Sequence, residues 1–154
     1  MQLNRAWIEA HIPHHGRMCL LDEVVSWSSE RISCRSGAHR AADHPLRAHG
    51  RLGVACGIEF AAQAMAVHGA LVAGAPEACE GPGAKPPAGF LASVRGVRLH
   101  VVRLDDVDSD LICDAQRIAG DQGTILYEFE VRSAALPLLR GRATVLDANF
   151  RRAP

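Results

Sequence analysis

The sequence predicts an α+β domain in which an antiparallel sheet wraps around one long central helix. Three observations carry this expectation. The segment from Val54 to Val72 is rich in alanine, free of proline and apolar nearly all round, the pattern of a helix buried inside its domain rather than lying on a surface. On both sides of it, short segments alternate apolar and polar residues with a period of two, as half-buried strands do. The chain of 154 residues shows no repeat and no linker, so residues 1–154 read as a single domain around a single core.

Asn4 can cap a short helix over Asn4 to His11, with Trp7 and Ile8 available to bury, and Pro13 and Gly16 interrupt it. Leu20 to Trp27 and Arg31 to Ala38 read as two strands joined by a turn at Ser28-Ser29-Glu30. A polar loop from His39 to Arg51 leads into the long helix. Beyond it, Gly74 to Gly89 carries four glycines and four prolines and is expected to be a loop. Gly89 to Arg103 alternates for much of its length, and so does the stretch around Leu111, Cys113 and Ala115. Gly120 to Gly123 is a turn, Ile125, Tyr127, Phe129 and Val131 point to one face, and Leu138 to Leu146 makes a last strand. An antiparallel sheet around one long apolar helix buries both at once, and this element order is the hotdog arrangement.

Hydrophobic residues make up 48% and charged residues 22%, which excludes a disordered chain. Basic and acidic residues balance at 17 each, so the basic surplus of a nucleic-acid binder is absent and no nucleic-acid partner is expected. Lys85 is the only lysine; the arginines at 95, 98 and 103 and at 140, 142, 151 and 152 suit either a phosphate or a solvated strand face. Five cysteines, an odd number without a Cys-x-x-Cys pair, and an N-terminus without an apolar leader point to the cytoplasm. The long apolar segment is broken by Glu59, Gln63 and His68, so no membrane span is expected.

Glu59 is the chemical anomaly of the central helix. Gln63, Ala66 and Ala70 share its face at roughly 100° per residue, and His68 lies opposite. Apolar surroundings push a carboxylate toward its protonated form, in which it acts as an acid, whereas a helix N-terminus pulls the other way. His44 and His49 lie in the loop entering the helix, within reach of Glu59. His11, His14 and His15 lack zinc-site spacing, so no metal is expected and a turn-stabilising or solvent role is read for them. His68 and His100 read as core-edge residues. Gly50, Gly53 and Gly57 form no nucleotide fingerprint, and no Gly-x-Ser-x-Gly occurs. Cys56 reads as a small packing residue.

The stretch Ile12-Pro13-His14-His15-Gly16-Arg17-Met18-Cys19-Leu20-Leu21-Asp22-Glu23-Val24 resembles the opening of hotdog dehydratases that act on 3-hydroxyacyl thioesters of acyl carrier protein. Gly57-Ile58-Glu59-Phe60-Ala61-Ala62-Gln63-Ala64-Met65-Ala66 is similar to that family's central helix, and the run Ala62 to Gly69 is nearest the branch found in aryl-polyene clusters. The resemblance implies a catalytic pair of a loop histidine and the helix glutamate, in a site shared across a dimer. Glu59 matches directly. The family's His-Phe-Pro-Gly is absent, and its histidine position, fourteen residues before the glutamate, is Pro45 here. His44 is the neighbouring candidate and His49 the other.

The resemblance implies that His44 takes the C2 proton and that Glu59, protonated or acting through water, protonates the leaving hydroxyl. Free N–H groups from Gly53 through Val54 to Cys56 polarise the thioester carbonyl as the helix begins, and an apolar tunnel beside Ala62 and Ala66 holds the chain. Gly53, Val54, Cys56 and Gln63 are the expected substrate-binding positions. No cofactor is required beyond the carrier's own phosphopantetheine, and the expected partners are an acyl carrier protein and a second hotdog subunit, identical or different. A hotdog thioesterase using Glu59 to activate water, and a non-catalytic hotdog subunit, are the competing readings.

Overall fold

The computed structural model describes residues 2–74, 89–121 and 123–147. The expected loop, Cys79, Arg151 and Arg152 thus fall, wholly or nearly so, outside the described residues. Helix α1 (Arg5–His11) is followed by strands β1 (Glu23–Trp27) and β2 (Arg31–Ser36), helix α2 (Gly57–Val72), and strands β3 (Gly89–Leu99), β4 (Leu111–Asp121), β5 (Thr124–Ser133) and β6 (Leu136–Asp147). The six strands form one antiparallel sheet in the order β1-β2-β4-β5-β6-β3.

Local chemistry explains each boundary. Asn4 caps α1 by accepting the Trp7 N–H at 3.1 Å, and Ile8 enters the core. His11 stacks on Trp7 at 3.9 Å between ring centroids and accepts no further helix, because Pro13 follows. The first strand is shorter than expected: Leu20 and Leu21 are already fully buried ahead of it, out of the alternating register. The β4–β5 hairpin pairs Asp121 with Thr124, and Gly123 supplies φ +89°.

The period-two patterns place Ile32 and Cys34 on β2, Leu111, Cys113 and Ala115 on β4, and Tyr127, Phe129 and Val131 on β5 toward α2. These meet Phe60, Ala61, Ala64, Met65, Val67 and Leu71 of the helix. Ten of the sixteen α2 residues are buried. The Val54–Val72 segment is long and apolar enough to cross a bilayer, yet most of that surface is taken up by the sheet. Gly57 permits the close approach of α2 to Leu139 of β6, whose side chain occupies the place of a Cβ.

His68 is locked between β5 and the β1–β2 turn. Its Nε2–H donates to the Ser28 carbonyl at 3.0 Å, so its Nδ1 accepts from the Tyr127 hydroxyl at 2.8 Å. His100, expected at the core edge, is exposed. Strand β3 closes one end of the sheet and is exposed over most of its length, including Phe90, Leu91 and Leu99. The outer face of the sheet is a charged surface, with Arg132 on Asp114 at 2.7 Å and Arg142 on Glu128 at 2.8 Å. A wide groove runs over this face, lined by Arg31, Arg98, Glu130 and Arg140 among others, and Glu59 does not border it.

Candidate active site

The chain reaches α2 through a short 3-10 turn, Val54–Cys56, so Glu59 stands in the first turn of the α-helix proper. Its side chain is one-third exposed. Along the same face lie Ala62 and Ala66, half-buried, and Gly69, exposed. This is the stripe of α2 that the sheet does not cover.

Two side chains hold the Glu59 carboxylate. His14 places Nε2 3.1 Å from Oε1, and Gln63, one turn further along, donates to the same oxygen at 3.0 Å. Both bonds favour the ionised form, the His14 bond most, and together they outweigh burial and hold Glu59 below the ordinary carboxylate range. The protonated acid expected from apolar surroundings is therefore corrected: Glu59 is a carboxylate near neutrality. The positive end of α2 acts in the same direction.

Gln63 is fully buried, and its amide is committed to the protein. Nε2 donates to the Met18 carbonyl at 2.7 Å as well as to Glu59, and Oε1 accepts the Leu20 N–H at 2.9 Å. The expected substrate-binding role is corrected accordingly, because both amide protons are spent. Gln63 ties the Met18–Leu20 segment to the helix and orients Glu59.

The segment carrying His14 is anchored at its other end by α1. Arg5 donates to the Gly16 carbonyl at 2.9 Å, and the Gly16 N–H donates to Glu9. Gly16 takes φ +60°, a turn that any side chain would strain. His14 is thus delivered to Glu59 rather than left in solvent or in a turn, which corrects the sequence reading. The signal for it was present in Pro13-His14-His15-Gly16, but nothing local says which imidazole faces the helix. His15 is exposed, and His11 bonds the Trp7 carbonyl at 2.7 Å. The Nδ1 of His14 is buried and has no partner among the described residues.

His44 lies elsewhere in this corner. It is 5% exposed, its ring stacks on Phe60 at 5.7 Å, and its Nδ1 accepts the Leu46 N–H at 3.1 Å. Burial, then the nearby Arg47, lowers its pKa, so it is neutral. With Nδ1 occupied, the proton sits on Nε2, which is buried and has no partner among the described residues. That geometry makes His44 a donor, not the base expected. His49 is exposed in a left-handed turn at φ +53°.

The N–H groups expected to be free before α2 are partly spent. Val54 donates to the Val102 carbonyl at 3.1 Å and Cys56 to the Gly53 carbonyl at 3.0 Å. Cys56 is half-buried, with its thiol raised above the usual range by desolvation. Among the described residues no group of three or more His, Cys, Asp or Glu is placed to hold a metal ion.

The profile described as ApeP dehydratase matches residues 6–153. No curated protein sequence matches the chain. Among solved structures, the dehydratase heterocomplex ApeI:P from Xenorhabdus doucetiae gives a TM-score of 0.76 at 23% identity, covering 92% of this chain and 91% of that one. The PaaI protein from the phenylacetic acid degradation operon of E. coli gives 0.57 at 13% identity, over 80% of each chain. A hypothetical thioesterase with coenzyme A from Streptococcus pneumoniae TIGR4 gives 0.56 at 8% identity, over 82% and 84%. These likenesses show the hotdog fold, which serves dehydratases and thioesterases alike. The profile spans nearly the whole chain and agrees with the dehydratase motifs read at Pro13 to Val24 and Gly57 to Ala66: the chain belongs to the ApeP-like dehydratase family.

Proposed function

We propose that this protein removes water from 3-hydroxyacyl thioesters carried on an acyl carrier protein, giving 2-enoyl thioesters in aryl-polyene or related fatty-acid synthesis in the cytoplasm. The observation that carries the reading is the Glu59 carboxylate, held ionised by His14 and Gln63 on the uncovered face of an otherwise buried helix. Dehydration moves one proton off C2 and delivers one to the 3-hydroxyl, and an imidazole–carboxylate pair on the uncovered face of α2 is equipped for that traffic.

The acyl chain runs along Ala62 and Ala66, whose small side chains leave room beside α2. Val54 and Cys56 wall the thioester end. The remaining N–H groups of the turn, on Gly53 and Ala55, are assigned to the carbonyl oxygen, together with the Nε2–H of His44. The reaction needs no metal and no redox cofactor, since no electron is exchanged with a second reagent. The phosphopantetheine arm belongs to the carrier.

Strand β3, an exposed edge bearing Phe90, Leu91 and Leu99, is the surface assigned to a second hotdog subunit. The ApeI:P heterocomplex supports a different subunit rather than a second copy.

The test is mass spectrometry of a 3-hydroxyacyl carrier protein incubated with this protein, alone and with a candidate hotdog partner. The enoyl species is run in parallel so that an unfavourable equilibrium is not mistaken for inactivity. Loss or gain of one water that disappears in Glu59→Gln is the expected result. Release of free acid would establish a thioesterase instead, and an unchanged carrier would leave a binding subunit.

A further inference from the structure

We infer that His14 is the proton-transferring catalytic residue of this site, working through Nδ1 while Glu59 and Gln63 position its ring. The inference rests on the dehydratase reading and goes beyond it by naming the atom that carries the proton.

The argument is one of hydrogen-bond inventory. An ionised carboxylate only accepts, so the 3.1 Å contact between His14 Nε2 and Glu59 Oε1 requires the proton to be on Nε2. In the uncharged tautomer that makes this bond, the lone pair is on Nδ1. Among the described residues that buried atom has no partner, an unsatisfied acceptor of the kind a folded chain rarely tolerates without a use for it. The chain is fastened before His14 by the Ile12 N–H on the Ile8 carbonyl, and after it by Arg5 and Glu9 at Gly16 and by Gln63 at Met18 and Leu20. The other buried imidazole of this corner, His44, has its lone pair occupied by the Leu46 N–H and has none to offer.

The step balances with His14 alone. The C2–H bond breaks and its proton passes to Nδ1. The electron pair becomes the C2–C3 double bond as the C3–O bond breaks, and the departing hydroxide takes the proton back from Nδ1 and leaves as water. The ring returns to its starting tautomer. Glu59 stays ionised throughout and stabilises the transient imidazolium, as the carboxylate of a hydrolase triad does for its histidine.

Three variants and one spectrum test this. In His14→Gln the side-chain amide still donates to Glu59 but offers no basic nitrogen, and in His14→Ala both are gone. His44→Asn keeps an acceptor for the Leu46 N–H. With the preparation that dehydrates the carrier-bound substrate, kcat in both His14 variants should fall by about a hundredfold or more with little change in KM, and added imidazole should restore part of it in His14→Ala. His44→Asn removes one oxyanion donor and should lower kcat by about a hundred- to a thousandfold, but imidazole should restore none of it. In the folded wild-type protein, nitrogen-15 NMR should show His14 protonated at Nε2 and unprotonated at Nδ1. Activity retained by His14→Gln but lost in His14→Ala would make His14 a positioning residue, and protonated Nδ1 in the neutral ring would overturn the inference outright. Wild-type protein that leaves the substrate intact would overturn the dehydratase reading and this inference together.

Discussion

Replacing Gln63 by methionine should separate the staple that holds this site from the chemistry it supports. Methionine matches the length of glutamine and fills the same buried space but makes none of its three hydrogen bonds. The Leu20 N–H suffers most. Leu20 is fully buried, so its amide is left without an acceptor or water, at a cost of about 1–3 kcal/mol. The Met18 carbonyl is only half-buried and can turn to water, which limits that loss to about 1 kcal/mol. The bond to Glu59 involves a carboxylate one-third exposed, so solvent screening reduces its share to about 0.5 kcal/mol. The sum is about 2.5–4.5 kcal/mol. With a slope of about 2 kcal/mol per molar urea, the unfolding midpoint should fall by roughly 1–2 M. Activity at low denaturant should fall as well, because the segment carrying His14 loses its attachment to α2. A midpoint shift below roughly 0.5 M would refute the reasoning, since it would mean that the Leu20 N–H finds another acceptor at no cost.

Three further outcomes follow from the same structure. His39, His44 and His68 are buried with pKa values lowered chiefly by desolvation, so the unfolded chain binds more protons than the folded one once pH drops below about 6.5. The stability they protect is complete above that pH and is lost as pH falls toward the folded values; thermal unfolding between pH 8 and pH 5 should show a falling Tm, and a flat profile would contradict their burial. Gly57→Ala should destabilise by about 1–3 kcal/mol because its Cβ meets Leu139, with Leu139→Val restoring part of the loss, whereas Gly69→Ala, with open space at its Cβ, should stabilise the helix by about 0.5–1 kcal/mol in urea titrations of the isolated chain. Leu91→Glu on β3 should abolish association with a hotdog partner in size-exclusion chromatography while leaving the far-UV spectrum intact, since Leu91 is exposed in the isolated chain.

Much of the architecture was legible because periodicity is a local property. The apolar run at Val54–Val72 and the alternation at Ile125, Tyr127, Phe129 and Val131 state which faces must be buried, and the fold obeys them. The edge character of β3 was not legible. Its residues alternate like those of any strand, and only the order of strands leaves it, among the described residues, without a neighbour on one side.

The site divides along the same line. That Glu59 matters was readable from its chemistry, a lone acid on an apolar helix, and its i, i+4 relation to Gln63 follows from helix geometry alone. The charge state of Glu59 was not readable, because burial and hydrogen bonding oppose each other and their balance depends on a donor 45 residues away in the chain. Nor was the choice among eight histidines. A histidine side chain is equally at home in solvent, in a turn or against a carboxylate. What selects His14 is the Gly16 turn, the hold of α1 on it and the grip of Gln63 on Met18 and Leu20, contacts between segments far apart in sequence. Local pattern alone thus determined the helix, the strands and the acid. Tertiary packing decided which imidazole meets that acid and where its lone pair points, because hydrogen-bond partners are set by proximity in space and periodicity carries no information about that.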